Sequence, residues 1–226
     1  GRDGLPADAW MAYGLQDVVN QRRMIDEGEA DEEFKRLQRS KLDALLALAE
    51  AHDCRRVRLL AYFGETYRGH DADPGSPVRG APPRGAATEG SVGAQCGNCD
   101  NCLRPPATWD ATEAARKALS CIYRFHQQGG LRFGAGHLID VLRGKRTDKV
   151  AQYGHERLST WGIGADVSEA QWRGVLRQLI ALGHLRAEGE YGTLELAPSA
   201  RDVLRGDVQL LLRVPSEAPG RGKSAR

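Results

Sequence analysis

The 226-residue chain has no run approaching the roughly 18 apolar residues that a membrane span needs, which excludes a transmembrane helix. No basic stretch followed by an apolar one opens the sequence, so no secretory signal is visible and a cytoplasmic location is expected. Charge bias is also missing: 32 Lys and Arg face 30 Asp and Glu, a net +2. That balance does not by itself establish a nucleic-acid partner, because phosphate binding depends on local clusters of Lys and Arg. Between Thr66 and Gln95 large apolar side chains are almost absent, while six Gly and four Pro occur. Such a segment cannot bury enough surface to offset its ordering entropy, and reads as an insertion or mobile loop. Cysteine is scarce, five in all, an odd count with three crowded together. This argues against a secreted disulfide framework and for metal binding in a reducing compartment.

What is present begins with "GRDGLPADAWMAYG", turn-forming residues followed by a short apolar run, Ala9 to Tyr13, read as a strand. A lone strand leaves its edges unsatisfied, so the chain is expected to be part of something larger. Leu15 to about Ile25 has helical spacing. The acidic run "DEGEADEE" then supplies a solvated turn and the first turn of a second helix, "FKRLQRSKLDALLALAEAHDC", whose Phe34, Leu37, Leu42, Leu45, Leu46 and Leu48 recur every three or four residues.

"RPPATWD" reads as a stiff linker into a second domain. Helices are expected there over Thr112 to Gln128, about Ala135 to Leu142, and Ser168 to Leu182, the last capped by Ser168 and stopped at Gly183. "HLRAEGEYGTLELAPSA" reads as two short strands around a Gly-containing turn. Three helices and then a hairpin is the order of a winged helix. The fold class is therefore mainly α with small β, a helical platform that carries the clustered cysteines followed by a winged-helix domain. The platform is placed at 26–107 with its loop at 66–95, the winged helix at 108–214, and a tail or linker at 215–226.

"CGNCDNC" holds Cys96, Cys99 and Cys102. Cys-x-x-Cys lets two thiolates reach one ion from a tight turn, and here the motif is doubled with Cys99 shared. Gly97, Asn98, Asp100 and Asn101 tolerate tight turns whose N–H groups can donate to sulfur. A core role fits polar surroundings poorly, and a redox dithiol lacks the strand-to-helix setting. Zinc needs a fourth ligand, from Cys54, Cys121 or a histidine. Cys121 lies on a helix face with Ala118 and Phe125, the setting of a core cysteine, whereas Cys54 sits between His52-Asp53 and Arg55-Arg56 away from any apolar stripe. Cys54 is the choice, which makes Zn2+ a structural staple at the base of the long loop with no open catalytic position.

"RGKRTDKVAQYGHER", Arg143 to Arg157, carries five Lys or Arg against Asp148 and Glu156. Lys145, Arg146, Lys149, His155 and Arg157 are candidate DNA contacts, joined by Gln171, Arg173 and Arg177, which lie off the apolar stripe of the following helix. His137 and His155 fall in no Cys or His spacing pattern and are read as polar contacts, not metal ligands.

"GRDGLPADA", "CRRVRLLAYFGE", "CGNCDNC", "YGHERLSTWGIG" and "VLRQLIALGHL" resemble, in the same order, segments of bacterial RecQ-type DNA helicases, covering Gly1 to about Val214. The resemblance implies the C-terminal portion of an ATP-dependent helicase that unwinds DNA in the 3′ to 5′ direction, in repair, recombination, replication and the SOS response. Residues 1–25 would end the second RecA-like lobe, with Arg2 matching an arginine that senses the γ-phosphate. Cys54, Cys96, Cys99 and Cys102 would match the zinc ligands. Implied partners are duplex, forked or overhang DNA and single-stranded-DNA-binding protein, in a nucleoid-associated cytoplasmic setting. The sequence lacks the Gly-rich phosphate loop with its Lys and Ser or Thr, and the acidic magnesium motif, so ATP and Mg2+ belong to the intact helicase alone. A zinc-containing winged-helix transcription regulator and a protein-interaction scaffold are the rival classes.

Overall fold

The computed structural model describes residues 7–67, 95–189 and 191–214. Arg2, nearly all of the long loop and the tail lie outside the described residues. The first described stretch contradicts one expectation: residues 7–14 form no strand, and Trp10 and Met11 are exposed. Among the described residues no strand pairs with this run, and a strand without a partner cannot satisfy its own backbone groups.

Two helices, α1 (Leu15–Glu27) and α2 (Glu32–Glu50), form an antiparallel pair, followed by α3 (Arg55–Tyr62) and a single turn α4 (Asp100–Leu103). Asp31 caps α2, its carboxylate accepting from the Phe34 N–H at 2.8 Å, and Glu32 and Glu33 occupy the first turn as the acidic run implied. Its apolar stripe is only partly covered, because Leu46 is buried whereas Phe34, Leu37 and Leu45 stay about half exposed.

The winged helix comprises α5 (Thr112–Gln127), α6 (Ala135–Leu142), α7 (Asp148–Tyr153), α8 (Glu169–Ala181), the hairpin β2 (Leu185–Glu188) with β3 (Thr193–Leu196), and α9 (Ala200–Arg205). Small Ala115 and Ala118 on α5 let neighbours approach, and Leu119, Leu138, Leu142, Leu176, Leu179 and Trp172 fill the centre. Ser168 and Gln171 close a capping box at the start of α8, each side chain bonded to the other's backbone N–H. Trp172 Nε1 donates to the Gly164 carbonyl at 3.0 Å, and a Cβ on Gly164 would lie 2.3 Å from the indole, so only glycine fits.

The segment read as a linker instead contains β1 (Thr108–Asp110), which pairs antiparallel with β4 (Leu211–Arg213), Trp109 opposite Leu212. This clasp, with Ala111 N donating to Leu210 O at 2.9 Å, fastens the domain's two ends together. Val18 and Leu46 of the platform share one apolar cluster with the winged helix, and Val19 packs on the hairpin turn at Gly192. Among the described residues no helix is long and apolar enough to cross a membrane.

Candidate metal centre and nucleic-acid interface

Cys54 is the N-cap of α3 and Cys99 the N-cap of α4, so both project where a chain reverses into a helix. Cys96 precedes a turn in which Gly97 takes φ +63°, and Cys102 lies within α4. That turn lets the Cys99 N–H donate to the Cys96 sulfur at 3.3 Å. The four sulfurs lie within 4.8 Å of one another, and those of Cys96 and Cys102 are 4.0 Å apart. Tetrahedral zinc with sulfur at about 2.3 Å sets sulfurs about 3.8 Å apart, so this donor set fits the ion with little adjustment. All five cysteines are free of disulfides.

Electrostatics favour a cation in this cluster. Burial and donation among the thiols push Cys102 up to about 12 and raise Cys96. Cys99, against the effect of burial, is held down to about 7 by N–H groups of Arg55 and Cys102 and by neighbouring thiols. Thiolates this close repel one another, and a divalent ion supplies the charge that lets them ionise together. Around them, Arg55 forms a two-pronged pair with Asp100 (2.5 and 2.9 Å), and buried Asn101 donates to the carbonyls of Ala51 and Asp53 at 2.7 and 2.8 Å. Cys121 is elsewhere, fully buried in the winged-helix core, its thiol pushed up to about 12 by burial.

The candidate DNA residues divide into three groups. Arg146, Lys149 and Arg157 are exposed and form no ion pair among the described residues; Lys149 sits 5.5 Å from the centre of the Phe133 ring. Lys145 and Arg173 are also exposed, beside Asp140 at 3.4 Å and Glu169 at 2.8 Å, and the Gln171 side chain serves the α8 cap. The remaining two are corrected by the structure. His155 is 2% exposed, hydrogen-bonded to His137 at 2.7 Å and stacked on Phe125, so its ring cannot reach a phosphate. Arg177 is turned inward, paired with Glu50 of α2 and lying over the Tyr13 ring. His155 was a candidate through its place in the basic segment and Arg177 through its position off the apolar stripe of α8; neither the ring stack nor the remote carboxylate leaves a local trace.

Sequence reasoning did not single out Tyr191, 82% exposed beside Gly192 in the hairpin turn, an aromatic face on which a base could stack. Nor did it assign Arg55, Asn101 and Arg213 their part in bonding the carbonyls at the end of α2. An isolated turn tyrosine or a surface arginine carries no periodic signal.

Two family models cover the chain: RecQ zinc-binding matches residues 15–103 and RQC domain matches residues 105–221. The ATP-dependent DNA helicase RecQ of Pasteurella multocida is 36% identical over 217 residues, covering 95% of this chain and 30% of that protein. That of Haemophilus influenzae is 36% identical over 218 residues with the same coverage, and that of Bacillus subtilis 29% over 211 residues, 93% of this chain and 31% of its own length. The chain thus spans about 30% of the length of the relatives it matches. With a four-cysteine cluster inside the zinc-binding match and a winged helix inside the RQC match, the chain belongs to the RecQ helicase family.

Proposed function

We propose that this chain is the DNA-engaging portion of a RecQ helicase, in which a zinc-stapled platform carries a winged helix onto duplex or forked DNA. The observation that carries the reading is the convergence of Cys54, Cys96, Cys99 and Cys102 at the foot of α2 and α3, against which the winged helix is packed. These four thiolates hold zinc, and the ion supplies a cross-link with every position filled by protein. Lys145, Arg146, Lys149 and Arg157 meet phosphates, with Arg173 and Gln171 at the start of α8 beside them. ATP and Mg2+ act in the intact helicase, where Arg2 senses the γ-phosphate and the motor pulls single strand past this module in repair and recombination. Single-stranded-DNA-binding protein is the protein partner assigned to the winged helix, where an apolar pocket lined by Tyr123, His126, Leu131 and Leu196 is open to solvent.

The test is binding of the purified chain to forked and blunt DNA across a salt series, with zinc content measured alongside. One zinc per chain, binding that weakens steeply with salt and a preference for forks over sequence are expected. Sequence-specific binding by a dimer would instead favour a transcription regulator. Absence of DNA binding at low salt in zinc-loaded chain would remove the reading.

A further inference from the structure

The end of α2 is not capped by its own sequence. Its last turn contains no Lys or Arg, and Ala51, in extended conformation, follows where a left-handed glycine would ordinarily close the helix. The free carbonyls are taken up by side chains from beyond the helix, one close in sequence and two remote. Arg55 donates to Leu48 O and Ala49 O, Asn101 to Ala51 O, and Arg213 Nη1, from β4 of the winged helix, to Ala49 O and Ala51 O at 3.2 and 3.3 Å. Two of these three caps adjoin zinc-site cysteines: Arg55 follows Cys54, and Asn101 lies between Cys99 and Cys102.

Glu50, the last residue of α2, carries a buried carboxylate beside the negative pole of the helix, an unfavourable place for it. Arg177 of α8 and the hydroxyl of Tyr13 donate to it. The next residue, buried Gln178, exchanges two hydrogen bonds with the backbone of Arg213, 2.7 Å from its N–H and 3.0 Å to its carbonyl. One helix terminus is therefore held by the cysteine knot on one side and by α8 and β4 on the other.

We propose that the C-terminal end of α2 is a joint through which the metal knot orients the winged helix, with Arg177 and Arg213 as its positioning residues. The proposal rests on the zinc reading above. Without the ion, Arg55 and Asn101 lose the frame that aims them at the carbonyls, and the end of α2 loosens beneath Arg213 and Glu50. Zinc would then govern the angle at which α8 meets DNA as well as the stability of the platform. Arg177, turned to this grip, acts on DNA only through that angle.

Amide residual dipolar couplings on the 226-residue chain read the relative orientation of α2 and the winged helix directly. In zinc-loaded protein, couplings from α2, α5 and α8 should fit one alignment tensor. Arg213→Met and Arg177→Met should each keep one zinc and their helical content yet require separate tensors, with loss of the preference for forked over blunt DNA. Arg213→Lys, which restores a cation, should recover the single tensor, an outcome that a packing role alone does not produce. Stripping zinc from the unaltered chain should separate the winged helix from α2 in the same way. Zinc-loaded Arg213→Met with unaltered couplings, or a stripped chain that still fits one tensor, would overturn the joint. A purified chain that binds no zinc would overturn the zinc reading and the metal's part in the joint with it, with Arg213→Met still deciding whether α2 and the winged helix are gripped there.

Discussion

The winged helix buries Leu119, Leu138, Leu142, Leu176, Leu179 and Trp172 at 0% exposure, whereas residues 15–103 bury among their described aliphatic side chains only Val18, Leu46 and Ala51. The first region has the apolar core of an independent small domain, and the second does not. What the platform has instead is polar: four convergent thiols, the Arg55–Asp100 pair, and the carboxamide of Asn101 on two carbonyls. A hydrophobic core tolerates the loss of one member at graded expense. A metal knot fails as a unit, because removing one ligand leaves the remaining charges unbalanced.

The sharpest way to break this contrast is Cys54→Ala. It should release zinc, unfold α3 and α4 and loosen the C-terminal end of α2 while the winged helix keeps its fold, read by metal content and by amide spectra of the two regions. Structural zinc contributes apparent free energies on the order of 10 to 16 kcal/mol in small sites, so this is the largest effect expected. Trp172→Ala reverses the pattern: about 3 to 5 kcal/mol lost from the winged helix in chemical denaturation, with zinc retained.

Acid should also separate the regions. His137 and His155 are neutral and buried, sharing one hydrogen bond among Phe125, Phe133 and Tyr153, with Lys149 and Glu156 nearby. Burial first, then the His155 ring and the Lys149 charge, bring His137 down to about 4, and burial lowers His155 despite Glu156. A depressed histidine pKa contributes stability that is fully present above the ordinary value of about 6.5. That stability is lost as pH falls from there towards 4. A thermal melt of the winged helix should therefore fall across that window, and His137→Phe should flatten the dependence.

Cys121→Ala should lower winged-helix stability by about 1 kcal/mol and leave zinc content unchanged. A loss of metal in this variant would reassign the fourth ligand. Smallest in folding terms is Arg146→Ala, on the exposed basic segment. It should leave both regions folded, weaken DNA binding modestly and reduce the salt slope by about one.

Much of this was legible locally. Helical spacing and caps placed α5, α6 and α8 within a residue or two, because amphipathic periodicity over two or more turns is written in neighbouring residues. The hairpin was legible from its Gly-containing turn. The helices α7 and α9 were not, since six residues span too few turns for a periodic signal, and α3, eight residues like α6, buries no residue against the core. The β1–β4 clasp joins positions about a hundred residues apart, and "TWD" alone has no feature that names "LLR" as its partner.

By itself, the sequence determined that three thiols crowd one turn, that Cys54 suits a ligand and Cys121 a core, and that a basic segment precedes α8. Those properties depend on residue type and near neighbours. Only the tertiary structure decided that His155 belongs to an aromatic core and that Arg177 and Arg213 face the end of α2. A charged or polar side chain takes its role from whichever partner folding brings within about 3 Å, and hydrogen bonds of that length leave no mark on the order of residues.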